Sequence, residues 1–243
     1  KGVYDYISAQ EKKHIEDFFV KHLDKIDWKE ISGNSNISEA FYEKHLDKLY
    51  WPWLSENCNI SEAFYEKHLR LVYWPALSKN LNMDEAFYNR HLDTVEWREL
   101  SGNPKISEDF FQKHLDKVDW EYLSENPSLS EEFFERHLHL VKWYNLSKNH
   151  GISEAFYHRH LDKVHFWELA ENANITAEFC ERYLDEMRWL SLSRNTNLGD
   201  DFYERHLDKV CWIYIQSNSG VSEKFLSKHI MKVNLQGGLY WNP

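Results

Sequence analysis

A tryptophan recurs along this chain at a fixed step of 23 residues, at Trp28, Trp51, Trp74, Trp97, Trp120 and Trp143 and again at Trp189 and Trp212. A period of this length, held without a slip, marks a repeat architecture in which each module contacts its neighbours rather than a single central core. At the one break, Phe166 occupies the column with Trp167 beside it, so the register survives. Phenylalanine keeps the same step from Phe18 and Phe41 to Phe202 and Phe225, and asparagine keeps it from Asn34 to Asn218. The consensus is close to S-E-x-F-Y-E-[KR]-H-L-D-K-V-x-W-x-x-L-S-x-N-x-x-I.

Ser38 to Ile60 serves as a specimen repeat. Ser38 is a good helix N-cap and Glu39 suits the positive end of a helix dipole, so a helix A is expected to open there. The cap recurs at Ser61, Asp84, Ser107, Ser130, Ser153, Thr176 and Ser222. At 100° per residue, Phe41, His45, Leu49, Tyr42 and Leu46 form one apolar stripe, with acidic and basic side chains in separate rows outside it. A shorter helix B, of about two turns, is expected just after Trp51, because Pro52 and Pro75 follow Trp51 and Trp74 and proline is accepted at a first helical position. It should bury Trp51 and Leu54. Asn57 is expected at its C-terminal turn, where asparagine tolerates the left-handed conformation.

Such short helices are marginal alone, so stacking of neighbours is obligatory. The expected fold is an all-α solenoid of about ten 23-residue helix-turn-helix repeats stacked into a superhelix, about 90 Å long for helix spacings of 9–10 Å. Residues 1–25 read as an N-terminal capping segment and first helix, 26–233 as the repeat array and 234–243 as a tail. At the front, Tyr4, Ile7 and Ser8 imitate the Trp, Leu and Ser columns, and Ser8-Ala9-Gln10-Glu11 is a candidate capping box. At the back, Leu235 replaces the tryptophan and Gly237-Gly238 breaks the pattern.

Composition bounds the function classes. Apolar residues make up 42% of the chain and aromatics 16%, which supplies a packed interior. A formal charge of -11 opposes broad attraction to nucleic acid or anionic lipid. No apolar run approaches the roughly 20 residues that span a bilayer, and the N-terminus has no secretory pattern, so a soluble intracellular protein is expected. Cys58, Cys180 and Cys211 form no ligand-like cluster, and Cys180 stands in a column of Tyr and Phe as a buried space-filler.

Three columns invite a chemical reading. Histidines at His45, His68, His91, His114, His137 and His160 evoke a metal ladder, but equivalent residues of stacked repeats lie about 9–10 Å apart, too far to share one zinc ion. Inter-repeat packing with a hydrogen bond is the expected role, and no metal or cofactor is expected. If the rings are buried and neutral, a steep loss of stability below about pH 6 follows. The basic column, Lys21, Lys44, Lys67, Arg90, Lys113, Arg136, Arg159, Arg182, Arg205 and Lys228, could track a phosphate backbone, which makes nucleic-acid binding the alternative function. Asp24, Asp47, Asp93, Asp116, Asp162, Asp185 and Asp208 lie three residues on, so pairing in solvent and salt bridges between repeats are the plainer expectation. Serines at Ser32, Ser55, Ser78, Ser101, Ser124, Ser147 and Ser193 read as helix-end caps rather than as nucleophiles. No constellation differs from its copies as an active site would, and a non-enzyme is expected.

The informative positions are those that vary while their neighbours repeat. They cluster around helix B, where Tyr50, Trp53, Tyr73, Tyr122, Tyr144, Trp167 and Tyr214 are of the residue types that dominate interface hot spots. A protein-binding scaffold is therefore expected, with its surface centred on Tyr50, Trp53 and Tyr73.

The run Asp116-Lys117-Val118-Asp119-Trp120-Glu121-Tyr122-Leu123-Ser124-Glu125-Asn126-Pro127 resembles the short helical repeats, with a D-K-[IV]-D-W-x-x-L-S-x-N-P core, of many giant DNA virus proteins. The likeness covers nearly the whole chain, although Ala173, Thr196 and Ser219 replace the proline. It implies a viral structural or host-interaction protein working in the host cytoplasm or within the virion, and it carries no shared activity.

Overall fold

A computed structural model describes residues 9–172 and 174–237. Among these are twenty α-helices, two short 3-10 turns and no strand. The chain is an all-α repeat array in which helix A and helix B alternate, and it divides into two compact units, one ending at Asp119 and one starting at Trp120. Successive B helices pack on one another within each unit, as Trp28–Ser32, Trp51–Glu56, Trp74–Ser78 and Trp97–Ser101 do in the first. The expectations for Tyr4, Ile7, Ser8, Ala173 and residues 239–243 lie outside the described residues. A closing helix, Ile230–Gly237, carries regular structure into the segment expected to be a tail.

Helix A opens where its cap predicts. Ser38, Ser61, Asp84, Ser107, Ser130, Ser153, Thr176 and Ser222 each accept a hydrogen bond from the N–H of the phenylalanine three residues on. Helix A then ends sooner than the apolar stripe implied. It runs Glu39–Glu43 in one repeat and Glu62–Lys67 in the next, and the histidine sits at its end, with φ -121° at His68. Leu49 still reaches the core by way of a turn. Helix B also starts one residue earlier than expected, with the tryptophan itself as first residue and Pro52 or Pro75 as second. It spans four to six residues, closer to one turn than two.

The core is a stack of rings. Tryptophan lies nearly parallel to the phenylalanine of the next helix A, at 6.1 Å and 25° for Trp74 and Phe87 and for Trp143 and Phe156. The phenylalanine meets its following tyrosine edge-on, as Phe156 does Tyr157 at 89°. Both geometries suit the ring quadrupole. Leu54 is fully buried, whereas Trp51 is half-buried, and in several repeats a lysine lies over the equivalent indole. Lys117 over Trp97 at 5.6 Å and Lys163 over Trp143 at 5.5 Å are examples. Phe18 heads the phenylalanine column but is 57% exposed. Asp5 stands where the 23-residue step would place its tryptophan, and Phe18, Phe19, His22 and Ile31 line an open apolar cleft of about 260 Å³.

Polar side chains bind one repeat to the next. No described residue, glycine included, has positive φ, and Asn57 has φ -70° and ψ 106°, so the left-handed role expected of asparagine is corrected. Its amide does different work. Asn195 Nδ2 donates to the carbonyls of Ala170 and Asn172 of the preceding repeat at 2.9 and 3.0 Å, and its Oδ1 accepts from the Asn197 N–H at 2.8 Å. Asn80, Asn149 and Asn218 repeat the pattern. Buried backbone carbonyls left by one-turn helices need a donor, and this column supplies it.

The serine column is also corrected. Ser32 Oγ donates to the Trp28 carbonyl at 2.6 Å and accepts from the Tyr50 N–H of the next repeat at 2.8 Å. Ser147 and Ser193 make the same two bonds, with His165 N and Cys211 N as donors. The tyrosines add another tie. Tyr203 Oη donates to the Leu192 carbonyl at 2.8 Å, and burial lifts the Tyr42, Tyr65, Tyr88, Tyr157 and Tyr203 hydroxyls above the ordinary tyrosine range. Cys180 replaces this ring in its repeat, fully buried, its thiol pushed up to about 12 by burial.

Candidate functional site

Ser32 Oγ holds the N–H of Tyr50 and Ser55 that of Tyr73, and the carbonyls of these residues open helix B, whereas Asp27 caps its helix with its side chain, accepting from the N–H groups of Lys29 and Glu30. Tyr50, Tyr73, Lys142, His165, Arg188 and Cys211 all lack a side-chain cap bond. The side chain at this position is thereby released toward solvent, which accounts for its variability. Tyr50 is 42% and Tyr73 47% exposed.

The second residue after the tryptophan has a different fate, because it meets the residue 20 positions earlier. Asn145 Nδ2 donates to Glu125 at 2.9 Å, Ser191 Oγ to Glu171 at 3.2 Å, and the Trp53 ring lies against Gly33, close enough that an added Cβ would sit 3.5 Å from it. Trp53, Tyr122 and Tyr214 are accordingly half-buried. Trp53 and Tyr50 form an edge-on pair at 6.1 Å with Lys29 over both rings. Arg194 covers Tyr214 at 4.0 Å. These contacts make Trp53 and Tyr214 part of the packing between repeats as well as of the surface.

In three repeats the residue immediately after the tryptophan position is also exposed. Tyr144 is 46% and Trp167 52% exposed, and Leu190, in the same column one repeat further, is 44% exposed. Leu190 was missed by the sequence reading, which looked for aromatics, although its place in the column with Tyr144 and Trp167 was the available signal. Three consecutive B helices of the second unit thus present one apolar stripe. It is edged with cations: Lys148 lies 4.1 Å from the Tyr144 ring centroid and Arg188 3.1 Å from that of Trp167. His165 meets Tyr144 edge-on at 5.7 Å. The seven candidates therefore divide between the units, with Tyr50, Trp53 and Tyr73 in the first and Tyr122, Tyr144, Trp167 and Tyr214 in the second.

The other columns are occupied in holding repeats together. His68 Nε2 bonds Glu43 of the preceding repeat at 2.9 Å, and His91, His160, His206 and His229 bond Glu66, Glu135, Glu181 and Glu204 at 3.1, 3.1, 3.0 and 3.0 Å. This glutamate partner, 25 residues before its histidine, went unnoticed in the sequence. Where Tyr183 replaces the histidine, His158 replaces the glutamate, and the two bond at 3.0 Å. Bonds from His68, His91 and His160 hold Glu43, Glu66 and Glu135 below the ordinary carboxylate range. No group of three or more metal-ligating side chains occurs among the described residues.

Five members of the basic column, Lys67, Arg90, Arg159, Arg205 and Lys228, form the expected salt bridges between repeats, with these same glutamates as partners rather than the aspartates three residues on. Arg205 bonds Glu181 at 3.0 Å, Lys228 bonds Glu204 at 2.7 Å, and Arg159 bonds Glu135 at 3.1 Å and Glu131 at 3.4 Å. Arg90 pairs with Glu62 and Glu66. No helix among the described residues is long and apolar enough to cross a membrane. No protein-family model, no curated protein and no solved structure matches the chain, so its site is read from its own geometry alone.

Proposed function

We propose that the chain is a non-enzymatic scaffold that binds a protein partner through the outer face of its B helices. The observation that carries this reading is the stripe of Tyr144, Trp167 and Leu190, each about half exposed on consecutive helices while the columns around it are consumed by packing. Rigid aromatic side chains fixed at one end and open at the other bring large contact area at small entropic cost, which is why they recur as interface anchors. Tyr50 and Tyr73 extend the same reading to the first unit. The likeness to giant-virus repeats places the partner, in this proposal, among virion or host proteins.

The test is affinity capture by the full chain, at low and high salt, beside a Trp167→Ala, Leu190→Ala variant and a Tyr50→Ala, Tyr73→Ala variant. A stoichiometric protein that survives high salt and is lost with either pair supports the proposal. Equal capture by both variants and the parent sinks it. Nucleic-acid binding, whose affinity would fall steeply with salt, is disfavoured by the ion pairs of the basic column.

A further inference from the structure

Five times in this chain a glutamate is held between two groups of the following repeat, the basic side chain and the histidine beside it: Glu43 by Lys67 and His68, Glu66 by Arg90 and His91, Glu135 by Arg159 and His160, Glu181 by Arg205 and His206, and Glu204 by Lys228 and His229. The five copies define a carboxylate-binding geometry, with imidazole Nε2 at 2.9 to 3.1 Å from the carboxylate oxygen. In one repeat of the first unit the receiving pair, Lys113 and His114, is kept, but Asn89 stands in the glutamate's place.

We propose that Lys113 and His114 form a receptor for a carboxylate from outside the chain. The backbone is the one that binds carboxylate elsewhere: His114 ends its helix at φ -128° and ψ 30°, against -127° and 25° at His91. The ring is also seated identically, 5.4 Å from Trp97 and 4.9 Å from Phe110, where His91 lies 5.4 Å from Trp74 and 4.8 Å from Phe87. What differs is charge. Burial holds the His114 imidazole below its ordinary value, Lys117 adds to this, Asp116 opposes it and Lys113 adds again. Arg90, on the neighbouring helix, is already engaged by Glu62 and Glu66. Glu85, placed before Lys113 as Glu62 is before Arg90, accepts from the Ser107 N–H, so an arriving carboxylate would find a cation and a ring nitrogen that no described glutamate bonds, and Asn89, being exposed, leaves the approach open.

The ligand is a carboxylate, carried either by a small acid or by an acidic segment of a protein. The test follows the His114 ring signal of the full chain by nuclear magnetic resonance near pH 6.5, assigned with His114→Gln, as sodium acetate or a tetraglutamate peptide is added at constant ionic strength. The expected result is a saturable shift of His114, absent at His91, and lost in both Lys113→Gln and Asn89→Glu. Asn89→Glu should also raise the pKa of His114 by giving it the partner its equivalents have. A tighter response to tetraglutamate than to acetate assigns the ligand to an acidic segment, and equal responses per carboxylate assign it to a small acid. A His114 signal that moves no more than His91, or one that responds unchanged in Asn89→Glu, overturns the proposal.

Discussion

The two units are built from one repeat yet spend their side chains differently. In the second, His160, His206 and His229 each bond a glutamate, and the exposed rings Tyr144 and Trp167 each lie under a cation. In the first, His68 and His91 bond glutamates too, but Val20 and Asn89 stand 25 residues before His45 and His114, and in the second His137 bonds the Phe133 carbonyl instead. Tyr73 is nearly half exposed, with no ring against it among the described contacts. The lesson is that the apolar columns define the fold, while the polar positions 25 and 20 residues apart decide where a repeat is self-satisfied and where it is left with capacity to spare.

If the units share one core, removing the same ring must cost the same in each. Phe87→Ala and Phe156→Ala, both at fully buried positions, are expected to destabilise their units by about 3–5 kcal/mol. Urea unfolding followed by hydrogen exchange reports each unit separately, and unequal costs would break the equivalence. The asparagine ladder comes next. Asn80→Ala in the first unit and Asn149→Ala in the second strip the donor from two buried carbonyls and the acceptor from one N–H, for about 3 kcal/mol each at ~1–3 kcal/mol per orphaned group. Tyr157→Phe should cost only about 1 kcal/mol, the net worth of one hydrogen bond, in keeping with the phenylalanines the chain itself places at Phe111 and Phe134.

Acid should act on particular repeats rather than strain every interface at once, which narrows the expectation of a steep loss below about pH 6. Burial depresses His45 and His114 below the ordinary 6.5, so the unfolded chain binds more protons there and stability falls as pH drops through that value. Glu43, Glu66, Glu135, Glu181 and Glu204 are depressed below the ordinary 4.5, so their contribution is present above that value and fades only beneath it. For Glu181 burial pulls the other way, and the bonds from His206 and Arg205 outweigh it; for Glu204 Lys228 leads and His229 follows. Between pH 7.5 and 5.5 amide exchange should accelerate around His45 and His114. Unchanged exchange at both would refute this. The smallest effect belongs to the surface. Tyr73→Ala should change stability within about 0.5 kcal/mol, and Trp167→Ala somewhat more because it uncovers Arg188; a reversed order in thermal melts would contradict the contrast drawn here.

Much of this was legible in the chain. The tryptophan, phenylalanine and cap columns announce helices, their starts and their stacking, because one period sets all of them. Helix ends were less legible: the stripe through His45 and Leu49 reads as helix, but the backbone turns there and brings the same side chains inward. Partners across repeats were least legible. Asn57, Ser32 and His68 each looked like local features, and their partners lie 18 to 25 residues away.

The sequence by itself determined that a 23-residue unit must recur, that it is helical, and that no copy is sufficient alone, since periodicity and the short apolar faces dictate all three. Only the tertiary structure decided what the polar columns do. Stacking one repeat on the next sets Asn195 beside the carbonyls of Ala170 and Asn172, His206 beside Glu181 and Arg188 over Trp167. The reason is geometric: a hydrogen bond or ring contact depends on distance and direction in space, and for residues about one repeat apart these are fixed by the stacking of helices.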